Sequence, residues 1–274
     1  MKPKVVAIVQ ARMTSSRLPG KVLLDIGDQP MLVWVVERAR RAQTVDEVVV
    51  ATTADASDEP IAALCRARGY PFYCGSIFDV LDRYYRAALQ HQAEIVVRIT
   101  ADCPLIDPEL IDNAVNAFIG FTPGASENNQ LLASGAPFPY DFVANRLPPP
   151  WGRTYPIGLD IEVCSFAGLE LAWEEATLPH QREHVMPFFY DQPQRFRILL
   201  LNHEINYGHL RWTVDTPQDL DLLRQIATHF PGRNDFSWLE VLELIQSNPA
   251  LAQINAQVQP KDYRAIDERS RLES

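Results

Sequence analysis

Arg12, Arg17 and Lys21 fall within ten residues in the run Gln10-Ala11-Arg12-Met13-Thr14-Ser15-Ser16-Arg17-Leu18-Pro19-Gly20-Lys21. Arginine forks and a lysine point charge are the usual means of holding phosphate oxygens. Ser15 and Ser16 add hydroxyl donors, and Gly20 permits close backbone approach. A solvated basic loop is the plainer reading of such a cluster. Its position reverses that preference, because it directly follows the β-branched run Val5 to Val9, and open α/β sheets bind ligands at strand carboxyl ends. The run is not a P-loop, since Val22 follows Gly20-Lys21 and the upstream glycine is missing. It also lacks the G-x-G-x-x-G of a dinucleotide fingerprint.

Two aspartates stand in similar places. Asp102, in Arg98-Ile99-Thr100-Ala101-Asp102-Cys103-Pro104-Leu105, follows an apolar run. It suits either a turn before Pro104 or a divalent metal; Mg²⁺ commonly takes one or two carboxylates and fills its octahedron with phosphates and waters. Asp215 precedes Thr216-Pro217, where Thr216 is the better helix cap. That leaves Asp215 to a structural turn or, with Asp102, to a two-carboxylate clamp. Asp160 and Glu162, in Ile157-Gly158-Leu159-Asp160-Ile161-Glu162-Val163, are placed on one strand face by the period of two. There they bind sugar hydroxyls or line a wet sheet face. His184, in Arg182-Glu183-His184-Val185, is either a substrate contact or a structural helix histidine.

The elements that must position these residues alternate. Val5–Val9, Glu47–Thr53, Pro71–Cys74 and Glu94–Thr100 read as strands. Between and after them come helices over Met31–Ala42, from Asp58 as cap to Ala67 with Gly69 as stop, over Val80–His91, and from Asp107-Pro108 to Phe118. Arg38, Arg40 and Arg41 suit the negative end of the first helix. Such repetition predicts a mostly parallel central sheet with helices on both faces, an α/β class. The second half is less regular. Strands are expected over Leu159–Cys164, Phe196–Leu201 and Arg211–Val214. Helices are expected from Ser165 to Ala176, from Thr216 to Phe230 and from Phe236 to Gln246. Phe121–Pro156 is rich in Pro, Gly and Asn and has no predicted element. No linker divides the chain, so residues 1–258 are expected to form one domain, with a polar tail over 259–274.

Composition sets limits on function. The 274 residues carry a net charge of -10, which argues against non-specific nucleic-acid binding. A small phosphorylated ligand is compatible with it, because such a ligand meets only a local field. Cys65, Cys74, Cys103 and Cys164 show no C-x-x-C spacing, so reduced thiols in a cytoplasmic protein are expected. Met1–Gln10 does not read as a signal peptide, and no apolar run approaches the roughly 18 residues of a membrane span.

Together these segments resemble the cytidylyltransferases that activate acidic sugars, and most closely the SpsF-type proteins of spore-coat polysaccharide biosynthesis. The resemblance runs from about Val5 to Phe230 and rests on A-R-x-x-S-x-R-L-P-G-K, Val80-Leu81-Asp82-Arg83-Tyr84-Tyr85 and Arg182-Glu183-His184-Val185. It implies a nucleotide-diphospho-sugar transferase (GT-A-like) fold. It also implies Mg²⁺-dependent transfer of CMP from CTP to an acidic sugar, with release of pyrophosphate. Arg12 and Lys21 match the family's phosphate-contacting, catalytic cations, and Ala11, Ser15 and Arg17 lie in the same nucleotide loop. Asp102 and Asp215 match its metal aspartates, with Asp102 also beside the nucleotide. Asp160, Glu162 and His184 are the expected substrate-binding residues. Homodimers are common in the family. Three positions depart from its pattern: Ala101 and Thr14 stand where glycine is usual, and Ile157 where aspartate is usual. The competing expectations are a sugar-nucleotide-dependent glycosyltransferase, which the missing D-x-D pair disfavours, and a non-catalytic nucleotide-binding homologue.

Overall fold

In the buried strands, successive side chains enter opposite cores. The computed structural model describes residues 2–121 and 137–259. In chain order the elements are β1 (Val5–Gln10), β2 (Asp25–Ile26), β3 (Gln29–Pro30), α1 (Met31–Ala39), β4 (Glu47–Thr53), α2 (Glu59–Arg68), β5 (Phe72–Gly75), α3 (Val80–Gln90), β6 (Ile95–Thr100) and α4 (Pro108–Ile119). There follow β7 (Phe142–Ala144), β8 (Glu162–Ser165), α5 (Phe166–Glu175), α6 (Pro179–His184), α7 (Pro187–Tyr190), β9 (Ile198–Leu200), α8 (Pro217–Thr228), α9 (Trp238–Ser247) and α10 (Pro249–Gln253). One sheet runs β5-β4-β1-β6-β8-β7-β9, and β2 with β3 forms a small hairpin. Every pairing in the large sheet is parallel except those of β8, which is antiparallel to both β6 and β7.

Val5, Ala7 and Val9 of β1, with Ile95, Val97 and Ile99 of β6, pack under α1, α4, α8 and α9. Val6, Ile8, Val49 and Val96 pack on the other face, under α3, α5 and α7. A sheet covered on both faces requires near-continuous apolar strands, which is why β1, β4 and most of β6 show no polar alternation. The exception is Arg98, and it marks where the second core gives way to a polar site.

Of the expected helix signals, Asp107, Ser165, Thr216 and Gly69 are met, and Asp79, Ser237 and Gly120 add to them. Asp79, Asp107, Ser165, Thr216 and Ser237 each accept a backbone N–H at a helix start. Gly69 and Gly120 end α2 and α4 in the left-handed conformation.

Several expectations are corrected. Arg38 does not serve the exposed end of α1: its guanidinium is buried and donates to the carbonyls of Ile106 and Asn234, both at 2.7 Å. Asp58 makes no cap bond to α2, because its carboxylate is turned toward the loop after β1. Arg211–Val214 is not a strand but a single bridge between Arg211 and Ile157. The strand expected from Leu159 begins at Glu162, so Asp160 lies outside it. The hairpin, β7, the short helix α7 and the terminal helix α10 were not expected. Of the stretch Phe121–Pro156, residues 122–136 lie outside the described residues, as does the tail after Gln259. The four cysteines are free.

Asp107 ties two helices together. It accepts from Glu109 N at 2.9 Å and Leu110 N at 3.4 Å in α4, and from Trp238 N of α9 at 2.8 Å. Asp107→Ala removes a cap and strands a buried donor, so it is expected to lower stability by about 2–3 kcal/mol. Urea unfolding should show a lower midpoint at unchanged m.

Candidate active site

The basic loop is folded by its own backbone. Ala11 N donates to Ala51 O at 3.0 Å, which carries the pairing of β1 with β4 one residue further. Met13 N donates to Asp58 Oδ1 at 2.7 Å. Asp58 Oδ2 is held in turn by the hydroxyl of Thr53. Met13 O then accepts from both Ser15 N (3.0 Å) and Gly20 N (2.8 Å), closing the loop on itself. That closure needs Gly20 at φ 69°, a left-handed conformation in which an added Cβ would also stand 3.3 Å from the Met13 methyl. Lys21 follows in a 3-10 turn, Lys21–Leu23, and is directed inward with its side chain only 10% exposed.

The Lys21 ammonium donates to Asp102 Oδ2 (2.7 Å), Asp215 Oδ1 (2.8 Å) and Val214 O (2.8 Å). The two aspartate-bearing segments are themselves laced together, since Val214 N and Thr213 Oγ1 both donate to Asp102 O, at 2.8 and 3.0 Å. Asp215 Oδ2 also meets Arg17 Nη2 at 2.8 Å and Arg211 Nη2 at 2.7 Å. Beneath it Asp219, fully buried, accepts from Arg211 Nε (2.9 Å), Asp215 N (2.9 Å), Thr216 N (3.0 Å) and Asn255 Nδ2 (2.8 Å). Burial alone would raise the Asp215 carboxyl pKa. Lys21, then Arg211 and Arg17, reverse this and hold it well below the usual carboxylate range. Burial alone would lower the Lys21 ammonium pKa, and the two carboxylates raise it instead.

A second polar group lies on the β6–β8 side. Arg98 pairs with Glu162 across the antiparallel register. Arg153 grips Asp160 with both terminal nitrogens at 2.6 and 3.1 Å, and Arg146 Nε lies 3.4 Å from the same carboxylate. Arg98, Arg146, Glu162, His184 and Tyr190 line a cavity of about 90 Å³, and Arg98 Nε is buried with no hydrogen-bond partner among the described residues. Burial would raise the Asp160 carboxyl pKa, but Arg153 and Arg146 depress it. Gly158, at φ 106°, lets this segment lie against the backbone of Trp212 and Thr213; an added Cβ would meet Thr213 N at 2.5 Å.

Helix α6 connects the two regions. Arg182 pairs with Asp79 at the start of α3, Glu183 Oε1 stands 4.0 Å from Arg12 Nη2, and His184 reaches the cavity. The helix ends in a γ-turn centred on Val185 (φ 69°, ψ −63°), with Met186 N donating to His184 O at 2.8 Å. That conformation is rare for a β-branched residue and costs of order 1–3 kcal/mol.

Of the expected site residues, the structure brings Arg17, Lys21, Asp102 and Asp215 into one cluster. Arg12 lies toward α6. Ala11 is buried with its amide engaged, and Ser15 sits in the loop turn. Asp160, Glu162 and His184 lie in the second group, with both carboxylates engaged by arginines. Asp58, Arg98, Arg146, Arg153, Arg211 and Asp219 were not singled out. The Thr216-Pro217-Gln218-Asp219 pattern of a capping box signals Asp219, and a charge within an apolar strand signals Arg98.

Among the described residues, no three His, Cys, Asp or Glu side chains converge as a metal site. Asp102 and Asp215 do converge on one cationic group. This pair therefore fits a Mg²⁺ ion whose remaining ligands come from phosphate and water.

The cytidylyltransferase family model matches residues 6–120. A 3-deoxy-manno-octulosonate cytidylyltransferase of Anaeromyxobacter sp. (strain Fw109-5) is 30% identical over 249 residues, covering 83% of this chain and 98% of that protein. The chain belongs to the cytidylyltransferase family. It is a nucleotidyltransferase. The spore coat polysaccharide biosynthesis protein SpsF of Bacillus subtilis (strain 168) is 28% identical to it, over 90% of this chain and 96% of that one. A solved cytidylyltransferase structure from Leptospira borgpetersenii serovar Hardjo-bovis (strain JB197) superimposes with a TM-score of 0.79 at 29% identity, covering 96% of this chain and all of that one. The fold is thus the nucleotide-diphospho-sugar transferase fold, with the mostly parallel sheet expected from the sequence.

The depressed Asp215 carboxyl has a consequence for this cytidylyltransferase in acid. A carboxyl whose pKa is lowered on folding contributes stability above its ordinary value, about pH 4, and loses it as pH falls through the depressed one. Asp215→Asn should therefore flatten the fall in stability below about pH 4. Urea unfolding at stepped pH checks this against the wild-type slope.

Proposed function

We propose that the protein transfers CMP from CTP to an acidic sugar, with release of pyrophosphate, in making precursors of a cell-surface polysaccharide. The observation that carries this reading is the closed basic loop at the carboxyl end of β1, whose Lys21 stands between Asp102 and Asp215. Such a site suits a triphosphate attacked at its α-phosphorus. The acceptor oxygen forms the new P–O bond, the bond from the α-phosphorus to the bridging oxygen breaks, and pyrophosphate leaves. Arg12, Arg17 and Lys21 supply donors for the β- and γ-phosphates and neutralise charge growing on the leaving group. Asp102 and Asp215 would hold Mg²⁺, which when bound offsets phosphate charge. Positioning then carries most of the rate.

The acceptor half is supported by the second polar group. Arg98 and Arg146 line the cavity with one carboxylate, Glu162, so its wall carries surplus positive charge. That surplus suits an acidic sugar. Among the described residues no helix is long and apolar enough to cross a membrane.

The test is pyrophosphate release from CTP, UTP, ATP and GTP with acidic sugars, with and without Mg²⁺. Mg²⁺-dependent release from CTP is expected. Asp102→Ala should lower kcat by about 100-fold or more, beyond what the accompanying loss of stability, followed by thermal unfolding, accounts for. Failure to release pyrophosphate from any pair refutes the proposal, and release of a nucleoside diphosphate from a sugar nucleotide would assign glycosyl transfer instead.

A further inference from the structure

A lysine ammonium has three N–H donors and no acceptor. All three of Lys21 are engaged, with Asp102, Asp215 and Val214 at 2.7–2.8 Å. Lys21 therefore cannot hold a phosphate oxygen without releasing one of these partners. The cluster around it is balanced in charge: Lys21, Arg17 and Arg211 stand against Asp102, Asp215 and Asp219. A divalent cation arriving alone would find Asp102 Oδ2 and Asp215 Oδ1 occupied by the ammonium and Asp215 Oδ2 by two guanidinium groups. It would also add two uncompensated charges to a half-buried site, where charge imbalance is costly.

We propose that Lys21 is a resident substitute for the divalent cation, keeping the place between Asp102 and Asp215 until a triphosphate draws the ammonium away, so that cation and nucleotide enter together. This rests on the reading that Asp102 and Asp215 are the cation's protein ligands. The triphosphate supplies new acceptors for Lys21 and negative charge for the incoming cation in one event. The movement needs only rotations in the four-carbon lysine stem. The backbone stays fixed by Gly20 and by Leu24 N, which donates to Lys21 O at 3.1 Å. By linkage, whatever nucleotide does to cation affinity, the cation does to nucleotide affinity.

The probe is Mn²⁺, titrated by electron paramagnetic resonance into nucleotide-free protein. Wild type should bind it weakly at this site. Lys21→Met should bind about tenfold more tightly or better, since Asp102 Oδ2 and Asp215 Oδ1 lose the ammonium between them. Lys21→Arg should remain weak, and adding Asp102→Asn to Lys21→Met should abolish the gain. An unchanged or weaker affinity in Lys21→Met overturns the proposal. A second measurement needs no variant. Wild-type crystals soaked in Mn²⁺ alone should show no anomalous peak between the aspartates and Lys21 still bridging them; a peak there overturns the proposal. Soaking with both Mn²⁺ and CTP should place the metal there with Lys21 on phosphate. Bound CTP with the metal elsewhere overturns the assignment of these aspartates, and the substitution proposal with it. The absence of any CTP binding instead overturns the functional reading on which both depend.

Discussion

A buried ammonium between two carboxylates is the constraint around which this site is built. Burying a charge is expensive unless its partners are in place and hydrogen-bonded. The partners of Lys21 come from positions 102, 214 and 215, so the cluster can exist only when the whole sheet edge is assembled. Each neighbouring feature serves that assembly. Asp58 and the Met13 carbonyl shape the loop that delivers Lys21, while the Asp102 carbonyl receives the strand-like segment that delivers Asp215. Asp219, Arg211 and Asn255 form the floor under Asp215 and tie it to the start of α8.

The sheet explains why the two polar regions adjoin. Parallel strands β1 and β6 end at the same edge, which places the basic loop beside Asp102. Strand β8 runs the other way, so its beginning, at Glu162, lies next to the later part of β6. The single antiparallel strand thus brings a wall of arginine and carboxylate up to the lysine–aspartate cluster. One side of the site is arranged around a bridged lysine and the other around arginines gripping carboxylates.

Much of this was legible because local rules were strong. Continuous β-branched runs gave β1 and β4, and caps such as Asp107 and Ser165 fixed helix starts within a residue. Asp102 and Asp215 were legible from their places after an apolar run and before a helix. What escaped depends on distant partners. Asp58 has the look of a cap, but the pull of the Met13 amide and Thr53 hydroxyl is stronger. Arg38 sits where a helix-end cation belongs, yet it is enclosed by carbonyls from residues 106 and 234. The Arg211–Val214 run is apolar enough for a strand, but finds only Ile157 and the Asp102 carbonyl to pair with. That Asp160 and Glu162 are engaged by arginines could not be read from spacing, because those arginines lie at positions 98, 146 and 153.

Helix α6 spends three consecutive residues on three different neighbours: Arg182 on α3, Glu183 toward the basic loop, and His184 at the cavity. A helix turns about 100° per residue, so inserting or deleting one residue would misdirect all three at once. The γ-turn at Val185 then fixes where the helix must stop. This short segment therefore tolerates drift in residue type more readily than drift in length. The three-residue step and its abrupt end therefore form an indivisible unit.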